Sequence, residues 1–589
     1  MCGIAGGSRS LTLHIDKALE RLAWRGPDSQ GRVDAASLAM CVRRLRITDL
    51  AAEQPIVVEE RGARSAIVFN GSLTQQDALR ATLVEAGHAP TTRNDAEVAL
   101  RLYLAHGIEG LTRLDGHFAF AIHDEARDTL VLGRDRFGEK PLFVAQDARD
   151  GLGAEGGANE ARFASTPSAL RALCGMGAVT VDRRAARRFA RFGFFDATKS
   201  CLGLPMRALA PASIEAFGSV RRSLLVEPAP TLTTWPSDWR EVVRERLRCD
   251  RPVGIFLSGG LDSALIASEA AALGAKPICY SLDFEDGKSE GAKAARIAAH
   301  LGLPHVRHRI GKEAIDALPQ LVELYGLPLG DPSILAVHAL ALRAREDGVA
   351  VVLGGDGADE LFHGYRRMRA WPWLRRVSLL APSGVRRLWR ASEGASEGAR
   401  ARRAAGNRDY RELWSLAGRE LLDRLFGDAG DDVGDDDAVA LAKGDAVSAE
   451  AVRELELTEY LANDLLVKTD VGGLAAGIEM RAPYLDARVV DHARAAKTHT
   501  TRRSKLPIRA LLAERLPREL VRGRKLGFGP PIGAWIRERR AFLRPLVEAG
   551  ASIVDVDVAL QVLDRGADDE AQLVFCLASL GAFARTWKQ

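Results

Sequence analysis

Three clusters in this 589-residue chain combine residue types and spacings that could do chemistry. In the first, an apolar run ending at Leu257 breaks at Ser258-Gly259-Gly260, passes Asp262 and Ser263, and resumes as the alanine-rich stretch 264–273. That order reads as strand, tight loop and helix. The glycines let backbone N–H groups close on an anion. The serine hydroxyls add donors, and the helix start adds its positive end, so the loop is a phosphate cradle. The Lys-Ser/Thr pair of a Walker loop is missing, and a plain strand–helix turn can carry the same glycines. In the second cluster, Cys2 follows Met1. Trimming of Met1 would leave a free α-amine, of pKa about 7.7–8.0, beside the thiol as its own general base. A cysteine there can also be incidental. In the third, 354–365, glycines again permit close approach, and Asp356, Asp359 and Glu360 place three carboxylates within five residues. Such a run is commonly a solvated turn; beside a phosphate loop it suits Mg²⁺ binding or catalytic positioning.

The elements that must position these clusters fall into two patterns. Up to about residue 226, strands and helices alternate in a way that suits a layered αββα domain. Residues 38–42 predict a strand ending near Arg44, and 66–69 a buried strand closed by a tight turn at Asn70-Gly71. Asn94 reads as the start of a helix, and 114–122 and 129–135 as two adjacent strands. The proline- and threonine-rich stretch 227–236 reads as a linker. Beyond it, strands at 252–257, 277–282, 305–310 and 349–353 alternate with helices. This predicts a parallel sheet with its site at the strand C-terminal ends. Residues 390–445 are poor in aromatics, and the acidic run 431–437 reads as a solvated loop; order is expected to return near Tyr460.

Composition removes several classes. The 82 basic and 78 acidic residues leave a net charge of +4, so no nucleic-acid footprint is indicated. Seven cysteines stand singly with no CxxC spacing, which argues against a zinc site or a disulfide framework. No apolar run reaches the roughly 18 residues of a membrane span. No membrane association and a cytoplasmic location are therefore expected.

The motifs carry a resemblance. MCGIAG, RGPDS, RLRITD, FNG, NDAEV, DGHFAFAI and GRDRFGEKPLF, in that order, resemble the class II glutamine amidotransferase domain, an αββα N-terminal-nucleophile sandwich that hydrolyses glutamine. The resemblance implies Cys2 as nucleophile and Asn70 and Gly71 as the oxyanion-hole pair. It also implies Arg44, Leu45, Arg46, Ile47 and Thr48 around the substrate, Arg44 being a fork for its α-carboxylate, and Asp95 on its α-amine. SGGLDS resembles the pyrophosphate loop of the ATP-pyrophosphatase superfamily, and the 354–365 loop resembles that of asparagine synthetases. By that likeness Leu257, Ser258, Gly259, Gly260, Asp262, Ser263, Leu282, Gly354 and Gly355 bind ATP. Asp262 and Asp356 hold Mg²⁺, Asp356 also supports the acyl-adenylate, Lys505 meets phosphate and developing charge, and Asp331 and Ser333 lie near the acyl pocket. The segments 460–470, 479–486 and 522–531 are similar to the same family.

Three positions depart from the pattern. Ser72 replaces a glutamate that helps hold the substrate amine, Gly354 replaces a serine, and Val471-Gly472-Gly473 stands where Arg-x-Ser/Thr is common. The expected whole is a glutaminase domain at 1–226 and an ATP-dependent synthetase domain at 237–589 with a helical C-terminal part. The two are joined by a dry ammonia passage, with a homodimer as the expected assembly. The expected reaction converts aspartate, glutamine and ATP to asparagine, glutamate, AMP and pyrophosphate. The rivals are amidation of a specialised-metabolite carboxylate, a β-lactam synthetase or peptide cyclase relative, and a non-catalytic regulatory or scaffold homologue.

Overall fold

The computed structural model describes residues 2–8, 13–35, 37–60, 62–145, 161–217, 222–227, 232–285, 291–427, 448–500, 503–521 and 529–588. The first half is built on two six-stranded sheets. One runs β10-β8-β9-β1-β3-β2, from β1 (Cys2–Ser8), β2 (Ser29–Asp34), β3 (Leu38–Arg44), β8 (Phe143–Ala145), β9 (Arg162–Ala164) and β10 (Met206–Ala208). The other runs β12-β11-β7-β6-β5-β4, from β4 (Ile56–Glu60), β5 (Ala63–Leu73), β6 (Gly116–Asp124), β7 (Thr129–Arg134), β11 (Ser213–Phe217) and β12 (Arg222–Leu225). Side chains alternate across each strand. Cys2 and Ile4 therefore pack between the sheets with Val42, Ala66, Val68 and Ala121, while Ala5 turns outward to the helices Ile15–Arg21 and Pro167–Cys174. On the far side Ile67 and Phe69 face outward to the helices Gln76–Glu85 and Asp95–Leu111. These layers are the αββα order.

Asn94 caps the helix Asp95–Leu111, its side chain accepting from Ala96 N. The Asn70-Gly71 pair does not make a turn. Strand β5 runs straight through it to Leu73, paired residue for residue with β6. Gly71 has φ +135°, and a Cβ there would stand 1.9 Å from the His117 carbonyl oxygen. The glycine serves close strand contact, which its pairing with asparagine disguises.

The second half is a five-stranded parallel sheet, order β15-β14-β13-β16-β17, from β13 (Val253–Phe256), β14 (Ile278–Phe284), β15 (His305–Ile310), β16 (Val351–Leu353) and β17 (Glu479–Arg481). Connections leave β13 in one direction to β14 and β15 and in the other to β16 and β17. The loops after β13 and β16 thus flank the switch point where ligands bind in such sheets.

Two expectations fail here. Trp235-Pro236 belongs to no linker: it opens the helix Trp235–Arg246, with Pro236 in the first turn, where its missing N–H costs nothing. The described part of the stretch before Tyr460 is also ordered, as the helices Glu397–Asn407, Arg419–Phe426 and Ala449–Leu455. Its arginines act as internal struts: Arg403 donates to the carbonyls of Ser392 and Gly394 and to Ser415 Oγ. The acidic run 431–437 and residues 522–528 lie outside the described residues.

The halves meet through buried charge. Arg25 grips Asp470 with both terminal nitrogens, at 2.7 and 3.2 Å. Asp135 accepts the backbone N–H groups of Phe137, Glu139 and Lys140. That turn delivers Lys140 to the seam, 3.6 Å from Asp470.

Candidate active sites

Cys2 opens β1, and its sulfur lies buried between the sheets. Burial pushes the thiol pKa up, against the pull of the chain's amino terminus and Arg44. A thiol so placed needs a base. The Cys2 nitrogen, which becomes the α-amine once Met1 is gone, donates to Asn70 Oδ1 at 2.9 Å. Asn70 is fully buried and its Nδ2 has no hydrogen-bond partner. One amide thus fixes the base with its oxygen and leaves a desolvated donor for developing charge, the two tasks of an oxyanion-hole residue.

The pocket in front of Cys2 is lined by Arg44, Leu45, Ile47, Thr48, Gly71, Ser72 and Asp95. Arg44 is not a free fork. Its terminal nitrogens donate to the carbonyls of Ala52, Thr48 and Asp49, stapling the 44–52 loop into shape. Arg46 turns away to Glu53 and does not line this pocket. Asp95 accepts from Gln76 Nε2. Burial raises its carboxyl to about 6, against hydrogen bonds from the Leu73 backbone and the Ser72 side chain. Ser72, the first departure, therefore holds the carboxylate that remains.

Two wall residues come from the other half of the chain: Glu479 and Arg481 of β17. Arg481 donates to Glu479 Oε1 at 2.5 Å. Against the upward push of burial, Arg481, the amino terminus and His117 hold the Glu479 carboxyl well below its usual range. Arg246 Nη1 lies 2.5 Å from His117 Nδ1. A guanidinium can only donate, so Nδ1 accepts and Nε2–H donates to Glu479 at 3.3 Å. In the sequence Glu479 stands only as part of a motif; nothing in the chain's order brings it, 477 residues on, against Cys2.

The second site lies at the switch point. Ser258 Oγ accepts from Gly260 N at 3.3 Å, and Ser263 Oγ from Ser258 N at 3.2 Å, which fold the loop back over the start of the helix Leu261–Ala272. Leu257, the residue after β13, and Leu282, within β14, are both buried. The 354–365 loop packs directly on the serine loop: a Cβ on Gly355 would stand 3.1 Å from Asp262 Cβ. Lys505 Nζ reaches both loops, 2.6 Å from Asp262 Oδ2 and 2.6 Å from Asp359 Oδ1. It does so from a left-handed backbone position, φ +58°, a conformation that costs about 1–3 kcal/mol and clusters at ligand clamps. Asp356 is half-buried, and loss of solvation raises its carboxyl pKa, against the pull of Lys468. A Cβ on Gly354 would come within 2.9 Å of Asp356 Oδ2, so the second departure gives that carboxylate room.

Beside Asp356 is a pocket lined by Asp331, Asp464, Lys468 and the aromatic residues Phe189, Phe194, Phe195 and Tyr325. Lys468 Nζ lies 2.8 Å from both Asp331 Oδ2 and Ser333 Oγ. Asp464 is buried and its pKa is raised well above the carboxylate range by burial and by Asp331, against Lys468. The third departure is a packing feature. Val471 is buried, and a Cβ on Gly473 would stand 2.7 Å from Met480 Cγ. The short side chains seat Met480 of β17.

Alternation along β17 then connects the sites. Glu479 and Arg481 face the Cys2 pocket, while Met480 between them points away, 3.6 Å from where a Cβ on Gly354 would sit. Gly354 N donates to Arg481 O at 2.9 Å. One three-residue edge strand is a wall common to both sites.

The fold and the paired sites define a two-part enzyme, an αββα glutamine amidotransferase domain joined to a parallel-sheet ligase domain. Residues 1–223 match the glutamine amidotransferase domain and residues 238–588 match the asparagine synthase family. A putative glutamine-hydrolysing asparagine synthetase of Mycobacterium tuberculosis is 29% identical over 96% of this chain and 92% of that protein. Glutamine-hydrolysing asparagine synthetase 1 of Bacillus subtilis is 27% identical over 95% and 90%. An amidase of Gibberella zeae, chry2, is 28% identical over 63% and 60%. The chain belongs to the asparagine synthase family and is a glutamine-hydrolysing ligase.

Proposed function

We propose that the chain makes asparagine from aspartate, drawing nitrogen from glutamine and driving the step with ATP. The observation that carries this reading is the sharing of β17 between a cysteine pocket and an adenylate loop. In the first site the Cys2 α-amine takes the thiol proton and the sulfur attacks the glutamine side-chain carbonyl. Asn70 Nδ2 holds the oxyanion, Asp95 the substrate ammonium. Ammonia leaves with the proton from the amine, and water releases glutamate from the thioester. In the second site an aspartate side-chain oxygen attacks the α-phosphorus of ATP and pyrophosphate leaves. Ammonia then displaces AMP from the acyl carbon. Lys505 neutralises charge on the leaving phosphates. Asp464 receives the aspartate ammonium as a carboxylate, the incoming cation displacing to solvent the proton that burial favours, and Lys468 with Ser333 receives its α-carboxylate.

A Mg²⁺ ion fits this chemistry. Asp262 Oδ1 is buried without a hydrogen-bond partner, and Asp356 lies opposite on the neighbouring loop. Mg²⁺ commonly takes one or two carboxylates and completes its shell with phosphate oxygens and water. Among the described residues no group of three metal-ligating side chains gathers, as suits an ion that arrives with its nucleotide. When bound it would neutralise phosphate charge.

The pH profile of glutamine hydrolysis tests the first site. The α-amine must be neutral and Asp95 ionised. Log kcat/KM is expected to fall with slope about 1 below the amine pKa, and with slope about 2 below the Asp95 value of about 6. A slope that stays at 1 down to pH 5 would remove Asp95 from substrate binding. For the second site, Asp464→Asn is expected to raise KM for aspartate about tenfold and leave KM for ATP unchanged, since one charged hydrogen bond is worth about 1.5–3 kcal/mol.

A second reading has its own support. The aromatic wall of the acyl pocket favours a bulkier carboxylate than aspartate. Incubation with amide-¹⁵N glutamine, ATP and Mg²⁺ separates the two. Label in asparagine supports the first reading; no label with aspartate, but label in another acid's amide, supports the second.

A further inference from the structure

A cavity of 510 Å³ opens at the seam between the two halves and shares no lining residue with the pocket of either site. Its walls come from four helices: Ile15–Arg21 and Pro167–Cys174 of the glutaminase half, and Leu318–Tyr325 and Ala571–Lys588 of the synthetase half. Lys17, Arg21, Arg171 and Arg585 line it against a single carboxylate, Glu323. Glu323 is already paired with Arg21 at 3.1 Å. Among the described residues, Lys17, Arg171 and Arg585 therefore face the space without a matching charge.

Arg171 is the telling one. It is half-buried, and its guanidinium lies 4.4 Å from the centroid of the Trp587 ring. Nε donates to Met176 O at 3.2 Å and Nη1 to Thr586 O at 2.5 Å. Both partners are carbonyls, so the group is held in place but not neutralised; among the described residues it makes no ion pair. Burial, and then Arg21, depress its pKa, as is usual for a cation whose charge lacks compensation. An immobilised guanidinium on an indole face, flanked by the exposed Lys17 and by Arg585, whose Nη2 donates to Pro545 O, is a ready partner for phosphate or carboxylate oxygens. The cavity is within the roughly 300–1,000 Å³ range of small-molecule sites, which favour domain interfaces.

We propose that this seam cavity binds a multiply charged small anion, of phosphate or polycarboxylate type, and that the bound anion bridges the glutaminase and synthetase halves. Arg171 supplies the fixed contact and Lys17 and Arg585 close over the ligand. Because the walls belong to both halves, the ligand stabilises their apposition and with it the shared wall at β17. The site is independent of which acid the enzyme amidates.

The test is calorimetric titration of the full chain with pyrophosphate, AMP and citrate in turn. Citrate has no place in an adenylate loop, and the part of its binding that is lost in Arg171→Gln reports the seam; pyrophosphate and AMP are expected to show the adenylate site and, where the seam accepts them, a second equivalent. At least one of the three is expected to bind at the seam and to raise the unfolding temperature. Arg171→Gln is expected to weaken that equivalent at least tenfold. Lys17→Gln combined with Arg585→Gln changes only exposed side chains and is expected to weaken it about threefold, which keeps the test valid if the Arg171 variant folds poorly. The same anion is expected to change the rate of glutamine hydrolysis in the parent chain and not in the variants. Absence of seam binding for all three anions, or equal binding by parent and variants, overturns the proposal.

Discussion

Replacing Cys2 with alanine is expected to lower amide formation from glutamine by about 10³-fold or more, while formation from ammonium stays within about twofold. The first half follows from the geometry around the sulfur. The pocket offers no second nucleophile: Asn70 is a donor, Asp95 is taken up by Gln76 and Ser72, and Glu479 is tied to Arg481 and His117. The second half follows from separation. Cys2 packs between the two sheets of the first domain, and alanine fills most of its volume, so β17 and the adenylate loops keep their places. Steady-state rates with each nitrogen donor check this directly. A parallel loss with both donors would mean that Cys2 supports the fold or the second site rather than the glutaminase reaction. Retention of glutamine-dependent synthesis would remove the nucleophile altogether.

The largest expected effect on stability is at the seam. Arg25→Met leaves Asp470 buried, with Lys140 at 3.6 Å as its remaining cation. Both members of the pair are almost wholly buried, at 0% and 5% residue exposure. Removing one partner of such a pair costs about 3–5 kcal/mol, most of it the penalty of an uncompensated charge, whereas replacing both by apolar groups can be nearly neutral. Urea unfolding is expected to show a loss of that size for Arg25→Met. Arg25→Met with Asp470→Leu should recover only part of it, because Lys140 then loses its partner. The single variant should also uncouple the halves, hydrolysing glutamine without a matching yield of amide. A loss below about 1 kcal/mol would place the pair among the weak surface contacts.

A third variant addresses the shared wall. Met480→Trp overfills the space that Gly473 and Gly354 leave. Overpacking costs about 1–3 kcal/mol. Glutamine hydrolysis is expected to persist and ammonium-dependent synthesis to remain, while glutamine-dependent synthesis falls about tenfold. Equal loss of all three activities would argue that Met480 only packs the core.

Much of this was legible in the chain because it is local. Strand, loop and helix around Ser258-Gly259-Gly260 are encoded within twenty residues. The Asn94 cap and the parallel alternation after residue 250 are encoded on the same scale. What failed was long-range or a matter of context. Asn70-Gly71 has turn chemistry, yet pairing with β6 on the whole length of β5 overrides it. Arg44 has the chemistry of a carboxylate fork, yet three carbonyls of its own loop take its hydrogens. The arginine-rich stretch before Tyr460 lacks an apolar period, because much of its order comes from guanidinium groups paired inside it. Glu479 and Arg481 could not be assigned to the glutamine pocket from sequence, since only the edge position of β17 brings them there.

The central claim is that the second half activates a carboxylate as an adenylate, with aspartate as the acid. ATP–pyrophosphate exchange, measured with aspartate and Mg²⁺ in the absence of glutamine and ammonium, tests it without help from the first site. The account predicts exchange that depends on aspartate, survives Cys2→Ala and is lost in Asp356→Asn. No exchange with aspartate under conditions where another carboxylic acid supports it would contradict the choice of aspartate. No exchange with any acid, in a chain that still hydrolyses glutamine, would contradict the adenylate itself.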